Sequence, residues 1–213
     1  MLKLQRFVFN PFYENTYLIW DGKSKDTAII DPGCYNDSER RAVDDFIDEY
    51  GLNLKYAVNT HCHIDHIFGN AYFKSKYNCE LLVPADDAFL LEVMINAAKE
   101  YQVEFTPSPK PDRLLHDGDS LNLGTSTGKF ILTAGHSPGE VCLYFEQEKI
   151  CFTGDVLFKQ SIGRTDLWGG STAALMCSIS TKLLTLPDDV VIYPGHESSS
   201  TIGYEKKFNP FLQ

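Results

Sequence analysis

The stretch "NTHCHIDHIFGN", Asn59 to Asn70, follows directly on the apolar run "LKYAV" and holds four groups able to bind a metal, His61, His63, Asp65 and His66, within six positions. Half of the chain's six histidines are gathered here. Imidazole and carboxylate suit zinc, iron or manganese, and loops at strand ends can aim several of them at one point. In layered α/β proteins sites lie beyond the carboxyl ends of strands. A buried strand ending in this cluster therefore argues for an α/β fold with a metal site at one edge.

Three more candidates lie downstream, each just after an apolar strand and beside a glycine: His136 in "LTAGHSPG", Asp155 in "CFTGDVLF" and His196 in "IYPGHE". Together they make seven candidate ligands, five of the six histidines and two carboxylates. That is too many for one tetrahedral ion and suits two ions sharing a bridging carboxylate. His116, in the polar "LLHDGD", lacks the strand-end context and reads as an ordinary polar residue.

Working outward, "KLQRFVF", "NTYLIWDG" and "DTAIIDPG" read as short strands ending at turn formers, with a hairpin at Asp21-Gly22. "DSERRAVDDFIDEYG" places Val43, Phe46, Ile47 and Tyr50 at helical spacing, with an Asp or Ser as N-cap and Gly51 as the stop. A helix is expected over "DHIFGNAYFKSKY", a strand over "CELLVP", and a helix from Ala85 to about Val103 that could act as a lid or simply pack. The Pro-rich "EFTPSPKPDRLLHDGD" reads as a surface loop. Four short strands follow, then a helix from Ser171 to Leu184 and a strand in "VVIYPGHE". Strands then a helix, twice over, predict two sheets packed face to face with helices outside.

The formal charge is −10 and the basic residues are scattered, which argues against a nucleic-acid partner. No run of about twenty apolar residues suggests a membrane span, and the N-terminus lacks a signal-peptide pattern, so a cytoplasmic protein is expected. The six cysteines form no CxxC pair and read as buried free thiols. Oligomeric state is not encoded in any legible pattern.

HxHxDH, a glycine-preceded His, a "TGD" Asp and a "PGH" His together resemble the metallo-β-lactamase superfamily, over nearly the whole chain. The resemblance implies an αββα sandwich, with His61, His63 and His136 on one ion, Asp65, His66 and His196 on the second, and Asp155 bridging. Asp155 argues against lactam substrates, because true β-lactamases usually lack that bridge. "NPFYENTY", "GDVLFKQSIGRTDLWGGS" and "TIGYEKKFNPFL" are similar to single-domain glyoxalase II-like hydrolases. One domain over residues 1–213, without a separate helical glutathione-binding domain, is the expectation.

The activity so implied is thioester hydrolysis, on S-lactoylglutathione or a related acyl thiol, with two divalent ions, zinc first and iron or manganese also suited. Asp65 and Asp155 are the catalytic candidates, Asp65 orienting the attacking hydroxide. Arg164 either meets a substrate carboxylate or braces its loop through Asp166. Asp31, in "IIDPG", is expected to hydrogen-bond a ligand histidine. Cys62 should point away from the metals, and Trp168 and Tyr193 read as core aromatics rather than pocket lining. The competing activity is iron-dependent persulfide oxygenation by His61, His136 and Asp155.

Overall fold

A computed structural model describes residues 1–213. Its first half is a six-stranded sheet made of β1 (Leu2–Phe9), β2 (Glu14–Asp21), β3 (Asp26–Ile30), β4 (Asn53–Val58), β5 (Glu80–Pro84) and β6 (Arg113–Leu115), in that spatial order. The first three pair antiparallel and the rest parallel. Its helices are α1 (Asp37–Tyr50), α2 (Ile64–Ile67), α3 (Asn70–Tyr77) and α4 (Leu90–Glu100).

The second half contributes β7 (Ser120–Leu123), β8 (Ser126–Leu132), β9 (Val141–Phe145), β10 (Ile150–Gly154), β13 (Val191–Pro194) and β14 (Ser200–Thr201), ordered β14-β13-β10-β9-β8-β7. A small hairpin, β11 (Leu157–Phe158) with β12 (Ser161–Ile162), and the helices α5 (Thr172–Ser178) and α6 (Ile202–Phe208) complete it. This is the αββα sandwich anticipated from the strand-then-helix pattern.

Period-two alternation assigns the faces. In β2, Tyr17 and Ile19 join the cluster between the sheets, while Leu18 and Trp20 join the one beneath α1, α2 and α4. In β9, Val141, Leu143 and Phe145 face the other sheet, and Cys142 faces α5 and α6. Phe152 on β10 sits at the middle of the sandwich, edge-on to Tyr17 at 5.2 Å and stacked on Tyr193 at 5.5 Å. Tyr193 is thus a core aromatic. Five of the six cysteines are buried, Cys177 is exposed, and all are free thiols.

Several boundaries differ from the sequence reading. The N-cap of α1 is Asn36, whose side chain accepts from the N–H groups of Ser38 and Glu39, rather than an Asp or Ser. Gly51 ends α1 in the left-handed region, as its position suggested. The helix expected over "DHIFGNAYFKSKY" is split at Phe68-Gly69, where the Gly69 N–H donates to Pro32 O at 2.6 Å instead of continuing the ladder. The stretch from Ala85 begins as a 3-10 turn before α4 starts at Leu90. The Pro-rich connection contains β6, an edge strand of three residues, too short to register as alternation. The last expected helix is α5 continued by a π-helical turn, Ile179–Leu183. Finally α6, capped by Thr201, lies in "TIGYEKKF", where no helix was expected. No helix is long and apolar enough to cross a membrane.

Phe152→Ala removes a ring that three aromatic neighbours surround, and should cost about 3–5 kcal/mol in denaturant titration. Asp21 closes the β2–β3 turn by accepting from Ser24 N at 2.7 Å and Lys23 N at 2.9 Å, and these donors lower its carboxyl to about 2. A depressed folded-state value stabilises above the unfolded value of about 3.9 and is lost as pH falls through the folded one. Asp21→Asn should therefore melt below the parent at pH 7, with the gap closing between pH 4 and 2.

Candidate metal centre

Four strand ends meet at one edge of the sandwich. β4 ends at Val58 and delivers the loop with His61, His63, Asp65 and His66. β8 ends at Leu132 and leads to His136; β10 ends at Gly154, one residue before Asp155; β13 ends at Pro194, two before His196. Because β10 and β13 are parallel neighbours with Gly154 opposite Pro194, Asp155 and His196 are adjacent although distant in sequence. The Val141 N–H donates to Thr60 O at 2.9 Å and ties the His136 loop to the first sheet.

All seven candidates converge. The ligand atoms of His61, His63 and His136 lie within 4.8 Å of one another, as do those of Asp65, His66 and His196. Asp155 stands between the groups: Oδ1 is 3.6 Å from His66 Nε2, while Oδ2 is 3.6 Å from His136 Nε2 and 3.5 Å from His196 Nε2. His196 Nε2 is 3.3 Å from Asp65 Oδ2. While His63 Nδ1 and His136 Nε2 meet at 2.8 Å, the carboxylate-to-imidazole separations exceed a charge-assisted hydrogen bond of about 2.7–2.9 Å. They match neighbouring ligands around an ion with bonds of about 2.0–2.2 Å.

The donor atoms also pass a burial test. His61 Nε2, His66 Nε2 and Asp155 Oδ1 are buried with no hydrogen-bond partner, which native interiors seldom tolerate without an ion or water to satisfy them. Three ring nitrogens turned away from the cluster face polar groups of the chain. His136 Nδ1 donates to Arg164 O at 2.8 Å, and His61 Nδ1 lies 3.1 Å from Thr60 Oγ1. His66 Nδ1 lies 3.2 Å from Asp31 Oδ2. Asp31 in turn accepts from the Thr60 N–H and hydroxyl, both at 2.7 Å, so its oxygens are turned to Thr60 and His66. Gly195 is required at its place, because a Cβ there would overlap Asp155 and His66.

Burial, reinforced by the surrounding imidazoles, pushes His61 well below the ordinary histidine range. Burial beside His136 lowers His63 to about 3. Both rings are therefore neutral, the form that binds metal. For His66 burial works downward, but Asp65, Asp155 and Asp31 outweigh it and the net shift is upward. His196 behaves alike through Asp155 and Asp65. Burial would raise Asp65, yet His66 and His196 hold it well below the usual carboxylate range.

Three supporting carboxylates escaped the sequence reading. Asp87 accepts from Ser137 Oγ at 2.6 Å, Gly139 N at 2.5 Å and Cys62 N at 3.3 Å, stapling the His136 loop to the first motif. Glu140 accepts from Asp155 N at 2.6 Å and stands 3.5 Å from His61 Nδ1. Glu14 is buried under the site and accepts from Thr16 Oγ1 at 2.9 Å. Burial raises all three. Glu14 and Glu140 did carry a signal, a charged residue directly opening an apolar strand. Asp87, in "ADD", carried none.

Beside the centre lies a cleft of about 400 Å³. Trp168 lines it, 6.1 Å from the His63 ring, and so is a wall residue as well as a partner of the core. Met94 and Tyr101 line it from α4 and its end; α4 buries Leu90, Leu91, Met94, Ala97 and Ala98, so it is a packed wall and not a loose lid. The Arg164 guanidinium meets Asp166 through Nε and Nη2, both at 2.7 Å. Cys62 is buried in the core under the helices, and His116 is exposed on the surface.

A two-sheet sandwich with a histidine and aspartate cluster at one edge defines a metallohydrolase class of fold. The chain belongs to the metallo-β-lactamase superfamily, whose family model matches residues 9–196. It is 39% identical over 203 residues to hydroxyacylglutathione hydrolase GloC of Haemophilus influenzae, covering 94% of this chain and 93% of that one. It is 34% identical over 201 residues to the human mitochondrial persulfide dioxygenase ETHE1, covering 92% of this chain and 70% of that one. Among solved structures it resembles BLEG-1 B3 metallo-β-lactamase, with TM-score 0.90, 32% identity and coverage of 99% and 100%. TTHA1623 in a di-iron-bound form matches with TM-score 0.86, 31% identity and coverage of 98% and 100%.

Asp87→Ala would strand the buried donors of Cys62, Ser137 and Gly139, at about 1–3 kcal/mol for each left unpaired. The expected result is a lowered melting temperature together with reduced bound metal, read by calorimetry and elemental analysis.

Proposed function

We propose that this chain is a single-domain hydrolase of acyl thioesters of the glyoxalase II type, acting on S-lactoylglutathione or a related acyl thiol. His61, His63 and His136 would hold one divalent ion, Asp65, His66 and His196 a second, and Asp155 would bridge them. The observation that carries the reading is the position of the Asp155 carboxylate between the two groups, with Oδ2 3.6 Å from His136 Nε2 and 3.5 Å from His196 Nε2 and Oδ1 3.6 Å from His66 Nε2. The 39% identity to GloC supports the thioester assignment. Zinc is the proposed metal, and the same donors accept iron or manganese.

When bound, two such ions supply a hydroxide nucleophile near neutral pH and polarise the substrate carbonyl. Asp65, held ionised between His66 and His196, would orient that nucleophile in the cleft rather than take up its proton. A thiolate leaves readily, since a thiol ionises near 8.5, so the cleft needs no separate general acid. The carbonyl of Arg164 fixes the His136 ring, and the Asp166 pair holds the loop carrying it, which supports bracing over contact with a substrate carboxylate. A soluble, cytoplasmic enzyme remains part of this reading.

A second reading is iron-dependent persulfide oxygenation at His61, His136 and Asp155, favoured by the 34% identity to ETHE1. Protein purified from its host should contain zinc, hydrolyse an acyl thioester and consume no oxygen on a persulfide. One iron per chain with oxygen uptake and no thioester turnover would overturn the hydrolase reading. Asp155→Ala should abolish turnover and lower metal content, whereas unchanged metal content would refute the bridging role.

A further inference from the structure

We infer that the cleft selects acyl thioesters whose body beyond the reacting carbonyl is apolar and free of carboxylates, with Phe12 and Tyr101 as its seat. The inference rests on the proposed thioester hydrolysis and names the substrate class within it. Phe12 comes from the turn between β1 and β2, and Tyr101 from the end of α4. Their rings meet edge-on at 6.0 Å at the wall of the cleft. Both keep open faces, 37% and 44% exposed, so that both members of the pair are accessible at the cleft. Met94 and Trp168 continue the same apolar surface inward.

Charge points the same way. Arg164 is the one lysine or arginine among the 16 residues lining the cleft. One edge of its guanidinium, Nε and Nη2, is already committed to Asp166 in a bidentate pair, which offsets much of its charge. Glu197 adds a carboxylate to the lining, and the chain as a whole carries −10. A glutathione thioester brings two carboxylates and one ammonium. Carboxylates entering at the rim lose hydration with only the remaining edge of Arg164 to meet them, and the chain's net charge of −10, which two divalent ions reduce but do not reverse, opposes their approach. An uncharged thiol such as N-acetylcysteamine meets neither penalty, and an alkyl or aromatic body buries its surface on the two open rings.

Two non-hydrolysable thioethers separate these cases, S-hexylglutathione and S-hexyl-N-acetylcysteamine, titrated calorimetrically into the metal-loaded protein and into protein treated with chelator. The expected result in both is at least tenfold tighter binding of the N-acetylcysteamine compound. Added salt should narrow the difference by screening the repulsion of the glutathione compound. Phe12→Ala with Tyr101→Ala should weaken the N-acetylcysteamine compound about tenfold, with metal content and melting temperature unchanged. Asp166→Asn, which frees Arg164, should improve binding of the glutathione compound. Equal or tighter binding of S-hexylglutathione by the parent, no binding of either compound, or an unaffected double variant would overturn the inference. Turnover of S-lactoylglutathione and S-lactoyl-N-acetylcysteamine is measured alongside. The expected binding order with neither thioester hydrolysed would sink the hydrolase reading while leaving the seat assigned.

Discussion

The structure depends on one constraint: five imidazoles must be packed into a protein edge with one ring nitrogen of each left facing a shared point. A buried ring nitrogen without a partner is costly, and for His136, His61 and His66 the chain sets a polar group behind the ring. The acceptors come from dissimilar places, a backbone carbonyl at Arg164, the hydroxyl of Thr60 and the carboxylate of Asp31. Thr60 is shared, because it touches His61 and anchors Asp31 as well. Much of the local architecture, including Asp31 in the left-handed region at φ 48°, follows from holding these rings still.

Carboxylates pay the opposing cost. Asp31, Asp65 and Asp155 gather within reach of His66, and Glu14 and Glu140 lie buried beside them. So dense a set of acids repels itself unless cations are supplied, and burial, reinforced by neighbouring carboxylates, shifts the two glutamates toward their neutral form.

How much of this was legible follows from range. Residues joined by one strand end, such as His61 to His66, announce themselves by spacing, and the glycine-flanked His136, Asp155 and His196 repeat the same local signature. The two sheets were legible through alternation, since each strand has one face toward its partner sheet. What escaped was set by contacts between distant segments. Asp87 matters only because Cys62, Ser137 and Gly139 come to it. The break at Gly69 exists because Pro32 O captures its N–H, and β6 exists because β5 offers an edge. Arg164 was undecidable in sequence, as both a substrate and Asp166 could satisfy its fork.

The parallel pairing of β10 with β13 places Asp155 beside His196 across an interval that contains a hairpin and a helix. The partial set from the first sheet and the His136 loop can gather earlier, but His196 arrives only with a strand made after nearly all the others. Long-range parallel pairing is slow to form because chain must be ordered before contacts reward it. A chain in which β13 has not yet paired with β10 therefore lacks the Asp155–His196 pairing that completes the donor set.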